Sequence, residues 1–469
     1  MSSDGGKTWA KPENNPILAG EPDVAVTGFR DPYVARWPCA DQLLSNGQEK
    51  FYGLVSGGLE GIGPTSFLYQ IQPSDLTQWK YLGPLVELPQ NFQPSKHWSG
   101  NYGINWECVN FLSFQGPSAL KHFLVIGAEG GIERDHIKAY DVPVCLQPRT
   151  IRTQVWMSGD LVNKEGSLKF QYRFGGFLDH GSYYAANSFQ DPRTGRHILY
   201  GWIPEEDITI DRAQRKGWNG SLAIPREIFL LDIPAVVRAI KSSLPEISCI
   251  ESESQADGSF NVQTLGIKPI SEVDHFRRTC GEQYSACSQI LLPRSTSEER
   301  QWLYSTTSSS WELEATISLH SGCETIGFNI HCDCDLSSCT TITFSALAET
   351  IIVDRASSND AIDINKCVES GPFTLFTILQ PVKNGSGEEE IQESLRIRIF
   401  SDGDIVEIFA NDRFALATMV YSTGPNGASG GISAFATGDV GSAIFESVRV
   451  WDDLNGGHSI VVDELDDSL

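Results

Sequence analysis

Short apolar runs with turn residues between them dominate the first half of the chain. Phe51-Tyr52-Gly53-Leu54-Val55, His122-Phe123-Leu124-Val125-Ile126-Gly127 and His197-Ile198-Leu199-Tyr200-Gly201-Trp202 are each bounded by Gly, Pro, Asn or Asp clusters. Runs of this length, rich in β-branched and aromatic residues, predict strands. Beyond residue 300 the pattern tightens to period two in 311–319, 324–330, 340–344, 395–400 and 405–409. Successive side chains of a strand face opposite ways, so this alternation predicts half-buried strands packed as a β-sandwich. One stretch breaks the texture: Ile233 to Ser242, with Pro234 in its first turn, predicts a short connecting helix.

Four runs of the first half place a polar residue at the head of an apolar strand: 29–37, 105–112, 182–189 and 221–230. One such run per four-stranded blade predicts a β-propeller, in which the strand heads gather and residues distant in sequence build one site. The chain then divides into a propeller over 1–235, a Ser-rich linker region over 236–300, a β-sandwich over 301–455 and an acidic tail over 456–469. A length of 469 residues suits two cores, since single cores stop growing at roughly 250–300 residues.

Charge narrows the partners. A formal net charge of -25 leaves no basic stripe for phosphates or anionic lipid, which argues against nucleic acid and membrane surfaces, whereas a neutral sugar meets no repulsion. No apolar run approaches the ~20 residues of a membrane span. The stretch Met1 to Trp9 has neither the basic nor the apolar region of a signal peptide, so the compartment stays open. Eleven scattered cysteines fit free thiols better than a dense disulfide scaffold. The cluster His331-Cys332-Asp333-Cys334, with Cys339 after it and Cys323 before, reads as loop thiols, as one local disulfide, or as metal ligands at a spacing poor for zinc.

Chemistry concentrates in two strings. Phe29-Arg30-Asp31-Pro32 and Trp106-Glu107-Cys108 each set a carboxylate beside an aromatic at a strand head. Two carboxylates meeting across a sugar are the minimum equipment of a glycosidase. Plainer roles exist for the same residues: Arg30 and Asp31 as an ion pair pinning a turn, Asp179-x-Gly181 as turn chemistry, Trp202 and Trp218 as packing between blades. Trp9 reads as a packing residue and Arg226 as a tie within the last blade. The sequons at Asn219 and Asn384 matter only in a secreted chain.

In chain order, Phe29-Arg30-Asp31-Pro32, Trp106-Glu107-Cys108, Asp179-x-Gly181-x-x-Tyr184-Ala185, Gly201-Trp202, Gly217-Trp218-Asn219-Gly220 and Pro225-Arg226-Glu227 resemble glycoside hydrolase family 32, the β-fructofuranosidases, inulinases and related fructan enzymes. Ile352-Val353-Asp354-Arg355 and the stretch Val406 to Asp412 resemble that family's C-terminal sandwich. The resemblance implies an all-β chain, a five-bladed propeller followed by a sandwich. It implies retaining cleavage of β-fructosidic bonds in sucrose, fructo-oligosaccharides, inulin or levan, by two carboxylates and without metal or cofactor. Glu107 matches the general acid/base, its pKa helped upward by Trp106 and Cys108, and Asp31 matches the transition-state stabiliser. Arg30, Asp179, Tyr184 and Trp218 match substrate-binding positions.

Two departures accompany the resemblance. Val109 stands where the family's glutamate motif continues with proline, and nothing matches the Asn-Asp-Pro-Asn-Gly stretch that carries the nucleophile. Asp4 belongs to a later Ser-x-Asp-Gly-x-x-Trp element and is not its substitute. The expectation is a fructosidase-type chain whose nucleophile segment precedes Met1; the alternative is a non-catalytic sucrose- or fructan-binding paralogue.

Overall fold

A computed structural model describes the chain apart from residues 1, 12, 14, 21–23, 45–46, 118, 132–142, 144, 281–282, 287–289, 295–298, 334, 383–386, 423–429 and 455–469. Cys334, the Asn384 sequon and the expected acidic tail lie outside the described residues. The chain forms two compact units, one from residues 1–132 with 154–176 and the other from 133–153 with 177–469.

In the first unit, β1 (Val26–Arg36), β2 (Phe51–Leu59), β3 (Gly63–Gln72) and β4 (Asp75–Pro84) pair in sequence order as one antiparallel sheet. A second sheet repeats the plan with β5 (Asn105–Gln115), β6 (Leu120–Glu129), β7 (Arg152–Lys164) and β8 (Ser167–Phe177). Four-stranded meanders of this kind are propeller blades. Their apolar runs are buried on both faces: β2 and β3 are almost wholly enclosed. Aromatic rings fill the space between, with Trp37 stacked on Phe111 at 4.1 Å and Tyr69 packed against Trp79 and Tyr81. Loss of one such ring from a close-packed interior costs about 3–5 kcal/mol.

The second unit opens with a third sheet. It contains β9 (Tyr184–Gln190), β10 (His197–Ile203), β11 (Ser221–Leu222), β12 (Arg226–Ala239), β13 (Glu251–Ser254) and β14 (Phe260–Pro269). The helix expected over 233–242 is therefore strand as far as Ala239: Ile233 pairs with Val262 and Val236 with Phe260. Pro234 sits at a bulge, where Ala235 adopts φ 59° and the missing proline N–H removes no ladder bond. The segment 236–300, expected as a linker, is woven into sheets. β13 and β14 extend the blade, a short helix spans His275–Cys280, and Tyr284–Ala286 and Ile290–Leu292 pair with the last strand, Ala443–Asp452.

Two further sheets follow the expected alternation. Strands Ala443–Asp452, Ser310–Leu319, Leu395–Asp402, Ile405–Ala410 and Phe414–Met419 form the body of one, and Glu299–Ser305, Gly431–Gly438, Cys323–Cys332, Thr340–Ser345, Thr350–Asp354 and Glu369–Pro372 form the other. Their inward residues, among them Trp311, Leu313, Phe328, Ile342, Ile399 and Phe445, share one core, which makes this region a sandwich. Strand Phe376–Pro381 leaves it to pair with β12.

Candidate active site

β1 and β5 are edge strands, and each carries a bulge at the quoted motif, between Arg30 and Tyr33 on β1 and between Glu107 and Asn110 on β5. Asp31 adopts φ 55° and Cys108 φ 46°. Non-glycine residues held in this left-handed region cost about 1–3 kcal/mol each and cluster at functional sites. Backbone groups released by the bulges find side chains: the Cys108 N–H donates to Asp31 Oδ2 at 3.4 Å and the Val109 N–H to Ser56 Oγ at 2.9 Å. Val109 thus donates a hydrogen bond that a proline at this position lacks the N–H to make.

Arg30 organises the carboxylates. Its Nε donates to Glu107 Oε1 at 2.7 Å and its Nη2 to Glu129 Oε2 at 2.6 Å. Asn105 Nδ2 donates to the same Glu129 oxygen at 2.9 Å, and Thr27 Oγ1 donates to Asn105 Oδ1 at 2.8 Å. Gly28 makes room for this network, because a Cβ there would lie 2.6 Å from Arg30 Nη1 and 2.7 Å from Asn105 Oδ1. Glu129 was not among the residues expected here. Its signal was present, an acid ending the apolar strand β6 just before Gly130-Gly131, in register with Asn105.

Three carboxylates, Asp31, Glu107 and Glu129, thus gather around one guanidinium. Cys108 registers their field: burial first, then the charges of Asp31 and Glu107, push its thiol up to about 12. Trp106, expected to cover Glu107, is wholly buried and donates its indole N–H to Tyr102 O at 2.9 Å. The Glu107 side chain keeps 22% of its surface exposed. A carboxyl oriented at one oxygen and reachable from solvent is equipped to exchange a proton with a bound group.

The other expected site residues lie in the second unit. Asp179 is fully buried: Oδ2 accepts from Arg226 Nη1 at 2.8 Å, and Oδ1 accepts from the N–H groups of Gly181 at 2.7 Å and Ala417 at 3.2 Å. Both of its oxygens are thus committed to protein partners. Tyr184 is likewise buried, its ring covered by the Arg152 guanidinium at 5.0 Å, and the same guanidinium covers Trp202. Trp218 keeps 50% of its surface exposed, with the Lys216 ammonium 3.5 Å from its ring centre.

Arg226 ties its blade as expected, and does so through the sandwich, since Nη2 donates to Glu407 Oε2 at 2.8 Å while the Ile224 N–H donates to Glu407 Oε1 at 2.7 Å. Asp4 closes its own exposed turn. The hydroxyl and N–H of Thr8 hold its carboxyl down to about 2. Trp9, expected to pack, is 76% exposed with its indole N–H on Gly6 O.

Comparisons with known proteins place these observations. The family model described as glycosyl hydrolases family 32 N-terminal domain matches residues 1–237, and that described as family 32 C terminal matches residues 272–452. An acid β-fructofuranosidase of Solanum lycopersicum is 24% identical over 94% of this chain and 63% of its own length. A fructan 6-exohydrolase of Beta vulgaris is 29% identical over 60% of this chain and 46% of its own length. The chain therefore spans less than two thirds of these relatives. The solved structure of Aspergillus kawachii β-fructofuranosidase complexed with glycerol superposes with a TM-score of 0.81 at 30% identity, covering 97% of this chain and 75% of that one. Blades, sandwich, motif order and family models agree, and the chain belongs to glycosyl hydrolase family 32.

Proposed function

We propose that this chain serves a retaining β-fructosidase, cleaving β-fructosidic bonds in sucrose or fructans, with Glu107 as general acid/base and Asp31 as stabiliser of the oxocarbenium-like transition state. The observation that carries the reading is the double link between the two bulged edge strands, Arg30 Nε to Glu107 Oε1 at 2.7 Å and the Cys108 N–H to Asp31 Oδ2 at 3.4 Å. A proton donor must meet the leaving oxygen while a second carboxylate faces the charge developing on the sugar. Arg30 keeps Glu107 oriented and screens the repulsion among three acids. No residue of this sequence is assigned as nucleophile. The relatives named above are, by name, β-fructofuranosidases and a fructan 6-exohydrolase, which supports the substrate class.

A second reading, a protein that binds sucrose or fructan without cleaving it, rests on one observation, the lack of a match to the nucleophile motif. Sucrose and inulin hydrolysis by the purified chain, with Glu107→Gln as the blank, separates the two. Activity above the blank supports the hydrolase. Equal rates together with calorimetric binding of sucrose or a fructo-oligosaccharide establish the binding protein and overturn the hydrolase for this chain.

A further inference from the structure

We propose that Cys332 and Cys339 form a reactive dithiol, which hydrogen peroxide oxidises to a cross-strand disulfide, with Cys339 the sulfur oxidised first. The hairpin register sets the pair. Strands Cys323–Cys332 and Thr340–Ser345 pair regularly as far as Ile330 with Thr340. His331 then adopts φ 54°, and two residues beyond it the Asp333 N–H donates to Ser338 O at 3.1 Å. The extra residue at this bulge moves Cys332 from the position opposite Ser338 to the position opposite Cys339.

The Cys339 N–H points away from Cys332, donating to Ser357 O at 3.0 Å, so the two cysteines form a pair without backbone hydrogen bonds. Such pairs hold their Cα atoms ~4.5 Å apart, within the roughly 4.4–6.8 Å that a disulfide spans. Cys332 is buried and Cys339 half-buried, which exposes one sulfur to a reagent and keeps the other behind it.

Local charge favours the same division of labour. The Cys332 thiol, donating to Cys339, brings the Cys339 thiol down to about 6 against the opposing effect of burial, with further help from Thr341 and the charge of Arg300 and opposition from Asp354. The Cys332 thiol moves up, through its bond to Cys339, burial and the neighbouring Asp333. Low-pKa, reachable thiols beside a second cysteine are those that oxidise reversibly.

Two steps close the bond. Cys339 Sγ attacks one peroxide oxygen, an S–O bond forms as the O–O bond breaks, and the departing hydroxide takes a proton to leave as water. Cys332 Sγ, surrendering its proton, then attacks Cys339 Sγ; the S–S bond forms, the S–O bond breaks and a second water leaves. The two sulfurs lose two electrons in total and the peroxide gains them.

The test uses the whole chain, reduced, freed of reductant, treated with hydrogen peroxide, alkylated and digested. The peptide carrying both cysteines is expected to lose two hydrogens and to resist alkylation at Cys332 and Cys339. Cys323→Ser and Cys334→Ser retain the link, whereas Cys332→Ser stops at a sulfenic acid on Cys339 that dimedone traps. A wild-type chain without the link, or a link that disappears in Cys334→Ser, overturns the proposal. A measurement on the unsubstituted chain guards against misfolded variants: iodoacetamide labelling of Cys339 should show a midpoint near pH 6. A midpoint in the ordinary thiol range, about 8.5, overturns the arrangement.

Discussion

Cys108 Sγ lies 3.7 Å from Asp31 Oδ2, each residue at a left-handed backbone position on its own edge strand. The thiol is pushed up to about 12 by burial and by the neighbouring carboxylates, so near neutrality it remains a protonated donor facing an acid. Its reactivity should therefore be the opposite of that of Cys339. At pH 8 iodoacetamide is expected to label Cys339 at least ~10²-fold faster than Cys108, because the thiolate is the reacting form. Peptide-resolved labelling rates measure this, and comparable rates would refute the description of Cys108.

Glu107→Gln keeps the shape and the hydrogen bond to Arg30 while removing the transferable proton. In sucrose hydrolysis kcat should fall by about 10²-fold or more with a smaller change in KM. An unchanged kcat would remove Glu107 from the mechanism.

Glu129 accepts from Arg30 Nη2 and Asn105 Nδ2, and under the proposed mechanism it acts as a positioning residue for Arg30. Replacing it by Gln weakens a charge-assisted bond of about 1.5–3 kcal/mol, and kcat/KM should drop ~10-fold or more. Glu129→Asp, which preserves the charge, should recover part of the loss. A change in melting temperature with kinetics intact would instead assign Glu129 to stability alone.

Arg226 lies wholly buried between Asp179 and Glu407. Substitution by Met leaves two buried carboxylates without their shared cation, at a cost of about 3–5 kcal/mol. Urea unfolding should show it as a lowered midpoint. Asp179→Asn should lower the midpoint too while KM for sucrose stays within ~2-fold, whereas a raised KM with unchanged stability would return Asp179 to the substrate-binding set.

His331, buried with its ring against Trp311 and Nε2 at 3.0 Å from Ser401 Oγ, is held down to about 4 by burial. Because its folded value is depressed, the unfolded chain binds its proton first as pH falls. The contribution is intact above about pH 6.5 and about 3 kcal/mol is lost as pH falls to about 4. Unfolding midpoints of His331→Asn, a residue that tolerates the same left-handed backbone, should fall less steeply over that range.

What the sequence made legible was whatever is local. Alternation announced the sandwich strands, since burial on one face imposes period two, and a carboxylate at a strand head pointed to Asp31 and Glu107 as the proposed pair. Pro234 misled because its meaning depends on a bulge opposite Val262 and Phe260, partners that no window of ten residues contains. The mixed composition of 236–300 suggested a connection, whereas its strands take their register from distant neighbours. Glu129 escaped notice because it joins the site through Arg30, a contact across 99 positions. Asp179 and Tyr184 were marked by motif position, whereas their burial follows from contacts with Arg226 and Arg152, 47 and 32 positions away.

The Arg226 bridge reaches beyond the pair of acids it neutralises. Glu407 belongs to the sandwich strand Ile405–Ala410, and Phe376–Pro381 supplies a neighbour to β12 in the blade's own sheet. A boundary drawn where the two family models part would therefore cut through one hydrogen-bonded fabric. Gene fusion, domain exchange or truncation near residue 300 would release a blade with an unmated edge and a stranded interior charge, so the two halves are constrained to be inherited together.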